Sequence, residues 1–341
     1  MDRVTPMSSI MGQSSEGFSK VIPGKQFNFP ADHLAHDQFR QEWWYLTANL
    51  TNEQGEPLGL QWTQFRIALS PNAPSKTGSS WATNQLYMAH SGLTTSEQHW
   101  ANERWSRGQP QLAGVTPSPL NIKLEDWIWQ SQGDNLFPAQ LNVQTAEYHY
   151  SLQLDSTAPF QLQGEKGYSI KSKDGSVASY YYSQPFIQVS GEITLHGKRQ
   201  KVSGQAWLDR EWSSQFLNKH QQGWDWFAIH LDDGSALMLF QLRTSETAGG
   251  HFYSARRMFS DGTGVQIPNE EIQLSATKWQ QMDSVTRPIA WQVKIASQQI
   301  DIELSALNPN AVMSLSVNYW EGPISVKGSH QGVGYMELTG Y

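Results

Sequence analysis

Polar and apolar residues alternate along most of this chain with a period of two, the pattern of half-buried strands, and only briefly with the 3.6-residue period of a helix. Leu60, Trp62 and Gln64 interleave with Gln61, Thr63 and Phe65. Val143, Thr145, Glu147 and His149 interleave with Tyr148, Tyr150, Leu152 and Leu154, and the runs Trp291–Ile295 and Ile300–Leu304 repeat the pattern. Turn formers separate the runs, among them Asn52-Glu-Gln-Gly55, Lys173-Asp-Gly175, His196-Gly197, Asp233-Gly234 and Asp261-Gly262. Glycine, Asn and Asp tolerate the left-handed backbone that such turns need. Helices are expected only as short pieces near 84–89, 94–101 and 212–219. Many short strands with frequent turns predict an all-β sandwich or barrel.

The strand pattern occurs twice. Trp43-Trp-Tyr-Leu-Thr-Ala-Asn-Leu50 is followed after a turn by Gln64-Phe-Arg66, and Trp224-Asp-Trp-Phe-Ala-Ile-His-Leu231 by Gln241-Leu-Arg243. Each half also closes alike, Gly204-Gln-Ala-Trp-Leu-Asp209 matching Gly332-Val-Gly-Tyr-Met-Glu337. Two matches in the same order indicate a duplicated domain, and 341 residues suit two cores better than one. The expected division is a flexible segment 1–27, a domain 28–218 and a domain 219–341, with Ser70–Thr83 an added loop or lid on the first.

Fifteen Trp, 12 Tyr and 13 Phe are too heavy an aromatic load for a disordered chain. A net charge of −7 with scattered basic residues carries no nucleic-acid footprint. No apolar run reaches the ~18 residues of a membrane-spanning helix, and the first twenty residues lack a signal-peptide core. The absence of cysteine excludes disulfides, thiolate metal sites and a Cys nucleophile. No serine-hydrolase elbow, zinc-protease helix, phosphate-binding loop or dinucleotide fingerprint is found, and no cofactor or metal is implied.

On a strand, Trp207, Asp209 and Glu211 share one face, while Leu208, Arg210 and Trp212 share the other. Two carboxyls beside an indole suit proton chemistry. If that face points into a barrel, burial raises the carboxyl pKa and keeps a proton available near neutrality, and ring faces stabilise a developing cation. The plainer alternative is an ion-pair network in which Asp209 and Glu211 meet Arg66, Arg210 or Arg243. Glu42, just before Trp43-Trp44-Tyr45, reads either as a pocket carboxylate or, preferably, as an arginine partner. Trp44, Trp62, Trp207, Trp224 and Trp226 are the tryptophans expected to line a ligand cavity. His90 and His230 are candidate bases or buried hydrogen-bonded histidines. Asp32-His-Leu-Ala-His-Asp37 is expected to be a surface loop, because its spacing matches no closed zinc site.

Glu42-Trp-Trp-Tyr45, Ala206-Trp-Leu-Asp-Arg-Glu-Trp212, Gly223-Trp-Asp-Trp226, Tyr319-Trp-Glu-Gly322 and Gly334-Tyr-Met-Glu-Leu-Thr-Gly-Tyr341 together resemble the AttH-like "predicted secreted hydrolase" family, relatives of the bacterial carotenoid 1,2-hydratases (hydroxyneurosporene synthases). The resemblance covers roughly residues 28–341. It implies two tandem lipocalin-like (calycin-type) antiparallel β-barrels, and export to the periplasm or beyond, with membrane association through a lipid-bearing leader not present in this sequence. In the carotenoid branch a His-x-Trp and a Tyr-x-Asp pair protonate a double bond. Spacing places them on Tyr180-Tyr-Tyr182 and Trp207-Leu-Asp209, so only the Asp is retained, which tells against carotenoid hydration.

What the resemblance implies is therefore an acid, Asp209, assisted by Tyr180 or Tyr182, in hydration, isomerisation or hydrolysis of an apolar small molecule. Two other readings compete. One is a non-catalytic carrier of a lipid or other apolar ligand in the envelope. The other is a carbohydrate-binding protein or glycosidase built on Trp platforms and the Asp209/Glu211 pair. That pair sits roughly 7 Å apart along one strand, whereas glycosidases bring their two carboxyls from opposite sides of the bond, so this reading ranks last.

Overall fold

A computed structural model of the protein describes residues 14–74, 79, 81–215, 217, 221–245, 249–282 and 284–341. Among these, nearly everything regular is strand, in two antiparallel sheets, and helix is limited to single 3-10 turns. The first sheet opens with β1 (Gln41–Asn52), β2 (Pro57–Ala68), β3 (Gln85–Thr94) and β4 (His99–Arg107). It continues through β5 (Ala113–Thr116), β6 (Asn121–Leu124), β7 (Trp127–Ser131), β8 (Ala139–Gln144) and β9 (Tyr148–Asp155). It ends with β10 (Gln161–Leu162), β11 (Tyr168–Ile170), β12 (Ala178–Leu195) and β13 (Lys198–Ser213). The order is β4-β3-β2-β1-β13-β12-β9-β8-β7-β6-β5, with β10 and β11 both pairing with β12. Because β6 returns against β3 and β4, and Gln64 Nε2 donates to the Lys123 carbonyl at 3.1 Å, the sheet is a nearly closed barrel.

The second sheet holds β14 (Gln221–Leu231), β15 (Ala236–Thr244), β16 (Phe252–Met258), β17 (Gly264–Ile267) and β18 (Gln273–Met282). It is completed by β19 (Val285–Ile295), β20 (Ile300–Ala306), β21 (Val312–Ser314), β22 (Asn318–Gly328) and β23 (Gly332–Leu338). Its order, β17-β16-β15-β14-β23-β22-β20-β19-β18, makes a half-barrel, and β21 pairs with β22. The centres of the two sheets correspond strand for strand, β2-β1-β13-β12 to β15-β14-β23-β22. The registers correspond too: Tyr45 lies opposite Asp209 and Thr63, and Trp226 lies opposite Glu337 and Phe240.

The segments expected to be helical near 84–89 and 94–101 instead supply β3 and β4. Their short-range pattern looked helical, but β3 lies between two partners and every residue from Leu86 to Thr94 is paired on both sides. Trp212 and Ser213 close β13, while residues 216 and 218–220 lie outside the described residues, as does the expected boundary at 218/219. Residues 75–78 and 80 of the proposed lid likewise lie outside them.

The first barrel is filled by its own side chains. Trp62 and Trp129 sit with ring centroids 5.7 Å apart in the middle, both fully buried, among Leu60, Ile122, Leu141 and Leu152. Residues 18–35 then close one end, in contrast to the flexible segment expected through residue 27. Phe27 and Phe29 pack edge-on against Tyr182, and the Ile22 N–H donates to the Tyr180 hydroxyl at 3.0 Å. Truncating Trp129 to alanine empties the centre of this core. We expect a loss of about 3–5 kcal/mol, read as a lower urea midpoint with an unchanged denaturant slope.

What positions the site is a second core outside the barrel. β1 sends Trp44, Leu46 and Ala48 inward and Trp43 and Tyr45 outward. β13 sends Leu208 and Trp212 inward and Trp207 outward, so Asp209 and Glu211 also face out. These outward side chains meet Trp224, Trp226, Phe240 and Tyr319 of the second sheet. The sheets approach closely where Gly59 faces Pro323: a Cβ on Gly59 would lie 2.4 Å from the proline ring.

Candidate functional site

Between the two sheets lies a cavity of about 60 Å³. Its first wall is Tyr45 of β1, Thr63 and Phe65 of β2, Tyr181 of β12 and Asp209 and Glu211 of β13, with Lys171 from the turn after β11. Its second wall is Trp224, Trp226, Phe240, Tyr319 and Glu337. The duplication therefore supplies each wall with an acid at the same place in the repeat, Asp209 on one and Glu337 on the other.

Asp209 is buried. Its Oδ1 accepts from Trp207 Nε1 at 2.7 Å and Ser183 Oγ at 2.5 Å, and its Oδ2 accepts from the Tyr181 hydroxyl at 2.8 Å. Burial penalises the charged carboxylate more than these three donors stabilise it, and the Asp209 pKa is pushed up to about 7. Glu337, half-buried and open to the cavity, accepts from Trp224 Nε1 at 2.7 Å. Desolvation again dominates, aided by the charge on Asp209, and its pKa also rises to about 7. Glu211 differs because it has a cation. Lys171 Nζ stands 2.7 Å away and 4.7 Å from the Tyr181 ring centroid, a charge held against aromatic faces. Desolvation lowers the Lys171 pKa while Glu211 opposes the shift.

The residues expected from sequence divide by strand face. Asp209, Glu211, Trp224 and Trp226 line the cavity. Trp207 stands behind Asp209 as its hydrogen-bond donor. The rest lie on the opposite face of the same strands. Tyr180 and Tyr182 point into the first barrel, where the Tyr180 hydroxyl binds the Ile22 backbone and the Tyr182 hydroxyl meets His33 Nδ1 at 2.6 Å. They pin the N-terminal segment instead of serving Asp209, and the adjacent Tyr181 takes that place. Trp62 fills the barrel, and Trp44 donates to the His33 carbonyl under the Arg210 guanidinium. Glu42 is fully buried between Arg66 Nε at 2.5 Å and Arg210 Nη2 at 2.8 Å, and accepts from the His36 backbone N–H at 2.6 Å. Those arginines, together with Arg243 on Asp225, are thus taken by carboxylates other than Asp209 and Glu211.

The Asp32–Asp37 segment is likewise not a plain surface loop. Asp32 and His33 are buried, and His36 bridges Asp32 and Glu42. His230 is buried against the Pro185 carbonyl, and burial lowers its pKa to about 4. Among the cavity residues that sequence reasoning passed over are Tyr45, Tyr181, Lys171, Tyr319 and Glu337. The signal for Glu337 was present, since the repeat aligned it with Asp209.

Fold and site thus define a class: a tandem β-barrel protein with paired, proton-retaining carboxyls in an aromatic cavity at the seam between barrels. The chain belongs to the AttH-like family, whose model matches residues 20–341. A crystal structure described as an AttH protein from Nitrosomonas europaea is 32% identical, covers 95% of this chain and 99% of that chain, and superposes with a TM-score of 0.84. Kievitone hydratase from Nectria haematococca shares the fold at 14% identity, over 99% of this chain and 95% of that chain, with a TM-score of 0.67. No curated protein matches the sequence.

Proposed function

We propose that this protein adds water to, or removes it from, a double bond of an apolar small molecule held at the seam between the barrels, with Asp209 as acid and Glu337 as base. The observation that carries the reading is a pair of carboxyls from opposite walls of one aromatic cavity, both near pH 7 in pKa. A group titrating near the working pH serves best in proton transfer. In the hydration direction, Asp209 gives its proton to one alkene carbon, directly or through the Tyr181 hydroxyl. Positive charge develops on the neighbouring carbon and is met by the faces of Trp224 and Trp226. Water bonds to that carbon and passes a proton to Glu337, leaving Asp209 ionised and Glu337 neutral. That a protein of this fold is named a hydratase agrees with the reading, as an analogy of fold.

The cavity holds only a few water molecules as it stands, whereas a drug-sized ligand occupies at least about 300 Å³. Substrate entry therefore displaces side chains at the seam.

The test is incubation of aryl and isoprenoid alkenes with the protein in ¹⁸O-labelled water. The expected product carries one ¹⁸O. Alkenes that bind, seen by tryptophan quenching, and return unlabelled would make the protein a binding protein. The acid must be protonated and the base ionised, so the rate should be bell-shaped around pH 7, with both limbs belonging to the coupled pair. Glu337→Gln should abolish the rising acidic limb and lower turnover by about 10²-fold or more, checked by pH profiles of variant and parent.

A further inference from the structure

We propose that Tyr45, Glu321, Tyr319, His90 and Glu103 form a proton path that carries the proton taken up by Glu337 out to solvent at the edge of the first barrel. The inference rests on the reading of Glu337 as the base, and it explains how that base is reset. Once water has added, Glu337 holds a proton that it must lose before the next cycle, while the bound product stands between it and bulk water.

The path is a run of polar groups through an otherwise apolar seam. The Tyr45 hydroxyl donates to Glu321 Oε1 and also interacts with Glu337. Glu321 lies opposite Glu337 in the pairing of β22 with β23, is 1% exposed, and is not among the residues lining the cavity. Tyr319 interacts with the same carboxyl, more loosely than Tyr45 does, and Glu321 Oε2 has no close partner. The Tyr319 oxygen stands 2.7 Å from His90 Nδ1, with the two rings stacked at 5.6 Å. His90 Nε2 in turn stands 2.9 Å from Glu103 Oε2. Glu103, held also by the Ser316 hydroxyl at 2.6 Å, has a side chain 14% exposed and is the end that reaches water.

The protonation states give this run one direction. Burial holds Glu321 protonated, its pKa raised well above the usual range, and keeps His90 neutral. Hydrogen bonds from His90 and Ser316 hold the Glu103 pKa down at about 2, against desolvation. An ionised Glu103 only accepts, so neutral His90 must donate from Nε2 and accept at Nδ1. Tyr319 then donates to His90, Tyr45 to Glu321 Oε1 and protonated Glu337 to Tyr45, and the run is completed when the Glu321 Oε2 hydroxyl, unpartnered at rest, swings onto the Tyr319 oxygen. A shift of each proton by one bond moves a single proton from Glu337 to Glu103. Every intermediate group loses one proton and gains one, His90 ends with its proton on Nδ1, and Glu103 releases the surplus proton to water.

The experiment reads proton exchange at Glu321 without any substrate. A protonated carboxyl shifts its infrared C=O stretch on deuteration, and Glu321→Gln identifies the band. The protein is mixed into D₂O and the band followed in wild type, Tyr45→Phe, His90→Phe and the double variant, with circular dichroism to check folding. Tyr45→Phe closes the route through the cavity and His90→Phe the route through Glu103. Exchange is expected to stay fast in each single variant and to slow at least tenfold in the double. A double variant as fast as wild type, or Tyr45→Phe alone as slow as the double, would overturn the path. Should His90→Phe fail to fold, ¹⁵N correlation spectra of wild-type His90 decide: Nε2–H with bare Nδ1 is required, and the other tautomer or the cation overturns the proposal. Neither readout depends on turnover, so loss of the hydratase reading and loss of the path are separate results.

Discussion

Asp209→Asn is expected to cut turnover by about 10²- to 10⁴-fold and, in the same molecule, to make the protein more stable than its parent at alkaline pH. The two effects share one cause. Asparagine keeps the shape and the oxygen that accepts from Trp207 and Ser183, and its amide can donate to the Tyr181 oxygen, so the wall stays intact while the transferable proton is gone. The stability effect follows from linkage. Burial raises the Asp209 pKa from 3.8 to about 7, so between those values the native state holds a proton that the unfolded chain has released. Unfolding then loses protons, and stability falls as pH rises from about 4 to about 7, levelling off outside that window. At 1.36 kcal/mol per pKa unit the decline attributable to Asp209 is at most about 4 kcal/mol. Asparagine has no such decline. Urea melts at pH 5 and pH 8 should show the variant gaining on the parent at the higher pH. Parallel stability curves would mean that Asp209 is ionised in the fold and cannot be the acid.

Glu42→Ala is expected to be the most damaging single change to the fold. It leaves Arg66 and Arg210, both fully buried, facing each other without their carboxylate, and it removes the acceptor of the His36 backbone N–H. Breaking one side of a buried ion pair costs about 3–5 kcal/mol, a large share of the roughly 5–15 kcal/mol by which a domain is stable. The melting temperature should fall by about 10 °C or more. Glu42→Gln should recover only part of this, because an amide can accept from the arginines but carries no charge. A melt unchanged in Glu42→Ala, with weakened ligand uptake, would instead make Glu42 a pocket group.

Much of the architecture was legible along the chain. Period-two alternation marks strands because successive side chains leave opposite faces of the backbone. The doubled Trp43 and Trp224 motifs marked two equivalent sheets because like sequences form like hairpins. The same arithmetic groups Trp207, Asp209 and Glu211 on one face, and the repeat aligns Asp209 with Glu337.

Alternation alone could not say which face of a strand looks inward. β1, β12 and β13 are buried on both sides, one against the barrel core and one against the second sheet. Hydrophobicity therefore reads equally inward and outward, and the choice falls to tertiary packing. That choice separated Tyr181 from Tyr180 and Tyr182, which differ by one residue and end up on opposite sides of a sheet. It also brought Glu337 to within electrostatic reach of Asp209, across a chain separation that no local pattern spans. The sequence by itself determined the strands, their duplication and the presence of two acids in matching positions; packing of one sheet on the other decided that those acids share one cavity, where desolvation, with their neighbours' charge, shifts their protons toward neutral pH.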